Sequence, residues 1–113
     1  EAIQRQFLHV LMEQFGYDVD LASTGTDAVQ KLSSNTYDAV LTDLDLPGLS
    51  GCAVAEAARQ KHPDIVVIML TGNDTALIRD ADRQHLDKIL GKPYDIRELK
   101  ACIRASIRKH AAA

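Results

Sequence analysis

The sequence predicts an α/β fold built on a doubly wound parallel sheet. Three observations point there. Helix-like and strand-like patterns alternate without exception along the chain. The run Ile65-Val-Val-Ile-Met-Leu70 is unbroken and largely β-branched, as expected of a strand covered on both faces. A shorter apolar run, Ala39-Val40-Leu41, stops at an acid, Asp43, and the chain then turns at Pro47-Gly48. Carboxylates at the carboxyl ends of such strands belong to the crevice where open α/β sheets place their sites.

The elements follow in order. Residues 2–15 carry Ile3, Phe7, Val10, Leu11 and Phe15 at helical spacing, which predicts an amphipathic helix closed by Gly16. Residues 17–22 alternate and predict a strand with one apolar face. Thr26 is the expected N-cap of a helix carrying Ala28, Val29 and Leu32. The Asp43 strand comes next. Ser50 and Gly51 then open an alanine-rich helix from about Cys52 to Lys61, ended by Pro63. After Ile65–Leu70, Thr71-Gly72 closes the strand, and residues 73–75 can cap a helix running to about Gln84. Residues 86–90 predict a weak edge strand, with polar Asp87 and Lys88 inside it. Asp95 caps a last helix bearing Ile96, Leu99, Ile103 and Ile107 on one face. The pattern starts on a helix, whereas a doubly wound sheet of this size is expected to start on a strand.

Composition narrows the function classes. The chain has 113 residues, enough for one core, with 46% apolar and 26% charged residues. A net charge of −3 without a basic block gives no support for nucleic-acid binding. No apolar run approaches the roughly 20 residues needed to cross a bilayer, so no membrane partner is expected. No signal-peptide pattern opens the sequence, and a cytoplasmic location is the expectation. Cys52 and Cys102 fit no metal spacing and read as small half-buried thiols. Neither are His9, His62, His85 and His110 spaced as ligands. The terminal residues 111–113 are three alanines, read as an appended remnant or frayed end outside a domain of residues 1–110.

All strands of a parallel sheet end on one side, so Asp43, Thr71 and Lys92 should face one crevice. A carboxylate can act as a nucleophile or bind a metal ion. A hydroxyl can donate to a phosphoryl oxygen, and a lysine can neutralise that group. Phosphoryl transfer depends mostly on positioning and charge stabilisation, which these groups supply. Taken singly, Thr71 reads as a turn hydroxyl and Lys92 as a solvated loop lysine. Three such groups at successive strand ends are a much rarer coincidence.

These motifs resemble the receiver domain of two-component response regulators. The segment from Tyr37 through Asp43, Pro47-Gly48 and Gly51 is similar to the family's phosphoacceptor segment. Residues 63–72 resemble its fourth strand and switch residue, and Lys92-Pro93-Tyr94-Asp95 its lysine-proline segment. The resemblance implies a three-layer, flavodoxin-like (βα)5 fold. It implies that Asp43 takes a phosphoryl group from a histidine kinase or histidine phosphotransfer protein. Mg2+ would be held by Asp43, by the main-chain carbonyl of Asp45 and by an acidic pair on the family's first strand. Thr71 would be the switch hydroxyl and Lys92 the phosphoryl contact, with a cis bond to Pro93. The domain would catalyse its own phosphorylation and dephosphorylation rather than turn over a substrate. An effector domain in the same polypeptide, and homodimerisation through the last strand and helices, are further implications.

The sequence also departs from the family. Counting back from Gly16 places Glu1 just after the acidic pair, so the first strand and both acids are expected upstream of Glu1, about ten residues in all. Ile89 stands where an aromatic residue is usual. Gln84-His85-Leu86 replaces a Gly-Ala pair, and the stretch from Thr71 to Lys92 is one residue short. Asp45 adds a negative charge beside the acceptor. Two rival readings are a phosphorylation-independent interaction module and a haloacid-dehalogenase-like phosphatase with Asp43 as nucleophile and Asp45 as general acid. A flavodoxin-like ligand domain ranks last, for want of a glycine-rich phosphate loop.

Overall fold

The computed structural model describes residues 9–44, 49–72, 78–92 and 95–112, with side chains as far as residue 107. At its centre lies β2, Val66–Thr71, every residue of which is buried. It pairs in parallel with β1, Ala39–Asp43, on one side and with β3, Lys88–Gly91, on the other. The ladder runs in register from Ala39 opposite Val66 to Asp43 opposite Leu70, and from Ile68 opposite Lys88 to Thr71 opposite Gly91.

Strand alternation divides the core in two. Val66, Ile68 and Leu70 face Met12 of α1 (residues 9–14) and Leu99 and Ile103 of α5 (Ile96–Ala112). Ile65 and Val67 face Leu32 of α2 (Gly25–Ser34) and Val54, Ala55 and Ala58 of α3 (Gly51–Lys61). Helices thus cover both faces, which is why β2 needs apolar side chains at every position rather than at alternate ones. The alanines of α3 keep that helix close to the sheet.

Most predicted elements stand where expected. Gly16 ends α1 with φ +96°, a backbone state that favours glycine. Ser50 caps α3, its hydroxyl accepting from Ala53 N at 3.2 Å. Asp95 caps α5, its carboxylate accepting from Arg97 N at 2.7 Å. The predicted part of α1 before residue 9 lies outside the described residues.

Three expectations need correction. The N-cap of α2 is Thr24, not Thr26, because Thr24 Oγ1 accepts from Asp27 N at 3.0 Å. The helix expected to reach Gln84 is a single turn, α4, Asp80–Arg83. Arg79 is extended and Ile78 is 4% exposed, so Ile78 anchors the chain before the turn begins. Asp80 and Asp82 then place negative charge at its start, where the helix dipole favours it. Residues 73–77 are outside the described part. At the other end of the chain α5 runs through Ala112.

The third correction matters most. Residues 17–22 form no ladder and are not a strand. A strand exists only through its partner's hydrogen bonds, and no described residue offers this segment an edge. Side chains hold it instead. Tyr37 Oη donates to Asp20 Oδ2 at 2.6 Å, and Lys31 Nζ donates to the carbonyl of Leu21. The neighbouring carboxylate raises the Tyr37 pKa, chiefly through that hydrogen bond. Between this segment and β1 lies a cavity of about 520 Å³.

A polar clasp secures the other edge of the sheet. Arg59 of α3 donates to the carbonyls of Pro63, Ile65 and His85 and to Asp87 Oδ2 at 2.9 Å. The same Asp87 oxygen accepts from Val67 N at 2.7 Å. Asp87 therefore ends the pairing of β2 with β3 by completing it with a side chain. Asp87→Ala would leave the Val67 N–H without this acceptor inside the sheet. A loss of about 1–3 kcal/mol is expected, read as a lower urea midpoint at unchanged slope.

Candidate functional site

The parallel ladders bring the three predicted groups to one edge. Asp43 is the last residue of β1 and Thr71 the last of β2, and Lys92 directly follows Gly91, the last residue of β3. Lys92 Nζ lies 2.5 Å from Asp43 Oδ1. The two side chains are 30% and 22% exposed, so the pair is reachable from solvent yet shielded on one side. Lys92 N donates to the carbonyl of Thr71 at 2.8 Å, which fixes the lysine loop to the end of β2. Thr71 itself is buried, at 3% exposure.

Main-chain bonds fix Leu44 and Gly51 on either side of residues 45–48. Leu44 N donates to Leu70 O at 3.1 Å, and Gly51 N donates to Leu44 O at 2.8 Å. Thr42 Oγ1 donates to the Asp43 carbonyl at 2.9 Å. Gly51 packs so closely that a Cβ there would stand 2.0 Å from the Asp43 carbonyl oxygen. The glycine is thus required by the approach of α3 to the acceptor strand. Its presence in the sequence motif pointed to this position, whereas nothing in the sequence singled out the Thr42 hydroxyl.

Some predicted participants fall elsewhere. Asp45, Pro47-Gly48, Pro93 and Glu1 lie outside the described residues, so the Asp45 carbonyl and the Lys92–Pro93 bond do too. Among the described residues no group of three or more His, Cys, Asp or Glu side chains is placed to hold a metal ion. Asp43 offers one hard oxygen donor group of the kind magnesium takes, so the described donor set fits the ion on one side only. The histidines are remote in sequence order from the strand ends. His9 pairs with Glu13 on α1 at 3.3 Å, and His62 and His85 precede β2 and β3 at the opposite edge of the sheet. Burial raises the pKa of both cysteine thiols, which favours the neutral, unreactive form.

An open α/β sheet with a carboxylate and a lysine paired across the end of its central strand defines a class of proteins suited to phosphoryl chemistry. Comparison with known proteins fixes the class: residues 1–104 match the response regulator receiver domain. The chain belongs to that family. It is 35% identical over 104 residues to the response regulator ArlR of Staphylococcus saprophyticus, covering 92% of this chain and 47% of that protein. The chain therefore spans less than half the length of that curated relative. Among solved structures, a receiver domain protein from Clostridium thermocellum superposes with a TM-score of 0.90 at 28% identity, over 99% of this chain and 91% of the other. The response regulator TrrA from Thermotoga maritima, solved in complex with Mg(2+)-BeF, gives 0.84 at 31% identity, over 94% and 91%. The flavodoxin-like α/β fold expected from the motifs is the fold observed.

Substituting Gly51 tests the close approach described above. Gly51→Ala must push α3 away from the Asp43 carbonyl, and a cost of about 1–3 kcal/mol is expected. Chemical denaturation with far-ultraviolet circular dichroism reads it, and an unchanged midpoint would show that the turn yields freely.

Proposed function

We propose that Asp43 is the phosphoacceptor of this receiver domain. The observation that carries the reading is the Asp43–Lys92 pair at the carboxyl edge of the sheet, with Nζ 2.5 Å from Oδ1. An Asp43 carboxylate oxygen attacks the phosphorus of a phosphohistidine on a kinase or phosphotransfer protein. The O–P bond forms as the N–P bond breaks, and the imidazole leaves with the bonding electrons. The lysine ammonium, already on the carboxylate, remains beside the new phosphoryl oxygens and offsets their charge. The Thr71 hydroxyl donates to one of them and draws in the loop after β2. Water later attacks the phosphorus and returns Asp43 to its carboxylate.

Magnesium is the cofactor of this reading, supported by the Mg(2+)-BeF complex of TrrA and by the oxygen donor at Asp43. Bound there, it supplies positive charge against the transferring phosphoryl oxygens. The Asp45 main-chain carbonyl and an acidic pair of the family's first strand would complete its donor set. The switched surface is built from β3 and the helices beside it, and an effector elsewhere in the polypeptide reads it. No helix among the described residues is long and apolar enough to cross a membrane, and we place the domain in the cytoplasm.

Intact mass spectrometry after incubation with magnesium and acetyl phosphate tests the reading. This chain, a version extended upstream by the first strand and its acidic pair, and the extended version carrying Asp43→Asn are compared. One phosphoryl gain is expected in the extended protein and none in the Asp43→Asn variant. Removing magnesium with a chelator abolishes the gain. No gain in any of the three moves the reading to an interaction module that works without phosphorylation.

A further inference from the structure

Among the described residues two polar ones are buried, Thr42 at 6% exposure and Thr71 at 3%. Both stand at carboxyl ends of strands: Thr42 precedes Asp43 in β1, and Thr71 ends β2. The phosphoacceptor reading employs Thr71 and gives Thr42 no part. Thr42 lies opposite Met69 in the ladder, and alternation puts it on the face of β1 that carries Val40 toward α2 and α3. An apolar side chain is the ordinary occupant of such a place, because a buried hydroxyl is costly unless it is hydrogen-bonded. Thr42 Oγ1 makes its bond to the carbonyl of Asp43, at 2.9 Å. The same peptide unit is held at its other end, where Leu44 N donates to Leu70 O at 3.1 Å. The peptide plane that follows the acceptor is therefore fixed through both of its polar groups, once by β2 and once by Thr42. A β-branched side chain in a packed core has little freedom about χ1, so the donor itself is rigid.

We propose that Thr42 is a positioning residue for phosphoryl transfer at Asp43. Its hydroxyl holds the Asp43–Leu44 peptide unit, and with it the carboxylate and the chain leaving it, in the arrangement that reacts. The inference rests on the reading of Asp43 as phosphoacceptor. The hydroxyl bonds main chain, so it acts through Asp43 and not on the phosphodonor. Its removal therefore lowers the maximal rate of phosphorylation and leaves the half-saturating phosphodonor concentration unchanged. Misplacing reacting groups by about 1 Å costs on the order of 100-fold in rate, and a peptide still tied at its N–H moves less, so a loss of about tenfold is expected.

The test separates the hydroxyl from the packing of the side chain. Thr42→Val keeps the shape and removes the donor, whereas Thr42→Ser keeps the donor and removes a methyl group. Both are made in the protein extended upstream by the first strand and its acidic pair. Intact mass spectrometry follows phosphoryl gain over time across a range of acetyl phosphate concentrations with magnesium, and urea denaturation reads stability. Stability and rate should part company. Thr42→Val should match or exceed the unsubstituted midpoint in urea yet gain its phosphoryl group about tenfold more slowly at saturating acetyl phosphate. Thr42→Ser should be less stable and keep the unsubstituted rate. Exchange of the Leu44 amide, measured by NMR, should quicken about tenfold in Thr42→Val, because that N–H shares the released peptide plane. If Thr42→Val does not fold, Thr42→Ala against Thr42→Ser carries the comparison. Equal maximal rates with and without the hydroxyl would overturn the proposal, as would a Thr42→Ser variant as slow as Thr42→Val. A change confined to the half-saturating concentration, or unchanged Leu44 exchange, would overturn it too. No phosphoryl gain in the unsubstituted extended protein would overturn the Asp43 reading and this inference with it, so the two failures are told apart.

Discussion

Parallel pairing about β2 is the constraint on which the rest of this structure depends. A strand whose six residues are all buried must have helices on both faces and a neighbour at each edge. Because its neighbours run in the same direction, their carboxyl ends meet at one edge of the sheet. Asp43, Thr71 and Lys92 are therefore gathered by topology, although they are far apart in sequence. Register brings the ends of β1 and β3 to the same edge, and the lysine side chain reaches past the end of β2 to stand 2.5 Å from the carboxylate.

Local chemistry then trims the edges of this frame. At the carboxyl edge, the main-chain bonds of Leu44 and Gly51 and the hydroxyl of Thr42 set the path of the chain leaving Asp43. Glycine at position 51 lets α3 begin against the acceptor strand, so the helix braces the site from behind. At the opposite edge, Arg59 collects three carbonyls and the Asp87 carboxylate. Hydrogen bonds to charged groups are stronger than neutral ones. This clasp joins α3 to the start of β3 where the ladder no longer can. The same helix thus supports the site at its N-terminus and the sheet edge at its C-terminus.

The unladdered segment at residues 17–22 shows what a sheet does when pairing is interrupted. Side chains of Tyr37 and Lys31 hold it, through hydrogen bonds to Asp20 and to the Leu21 carbonyl. Pairing is cooperative and needs an edge within reach. A cavity of about 520 Å³ separates this segment from β1. The cavity reaches Asp43 and Lys92 and so borders the candidate site.

Much of this was legible in the sequence, because the signals involved are local. The unbroken run ending at Leu70, the acid after Leu41 and the lysine before Pro93 each record a burial or a strand end in neighbouring residues. So do the caps at Ser50 and Asp95, whose side chains bond backbone groups two or three positions away. Other features required distant partners. Alternation at residues 17–22 read as a strand, yet no ladder forms there, since a strand is defined by what lies beside it. Asp87 read as a polar blemish in an edge strand and proved to be the acceptor for Val67 and Arg59. Thr42 was indistinguishable from any strand threonine. The sequence by itself determined which segments are helical, which is the most buried strand, and which groups stand at strand ends. The tertiary structure decided which edges are paired and which polar groups satisfy one another. The reason is that periodicity is encoded along the chain, whereas pairing and close approach depend on residues the chain brings together only by folding.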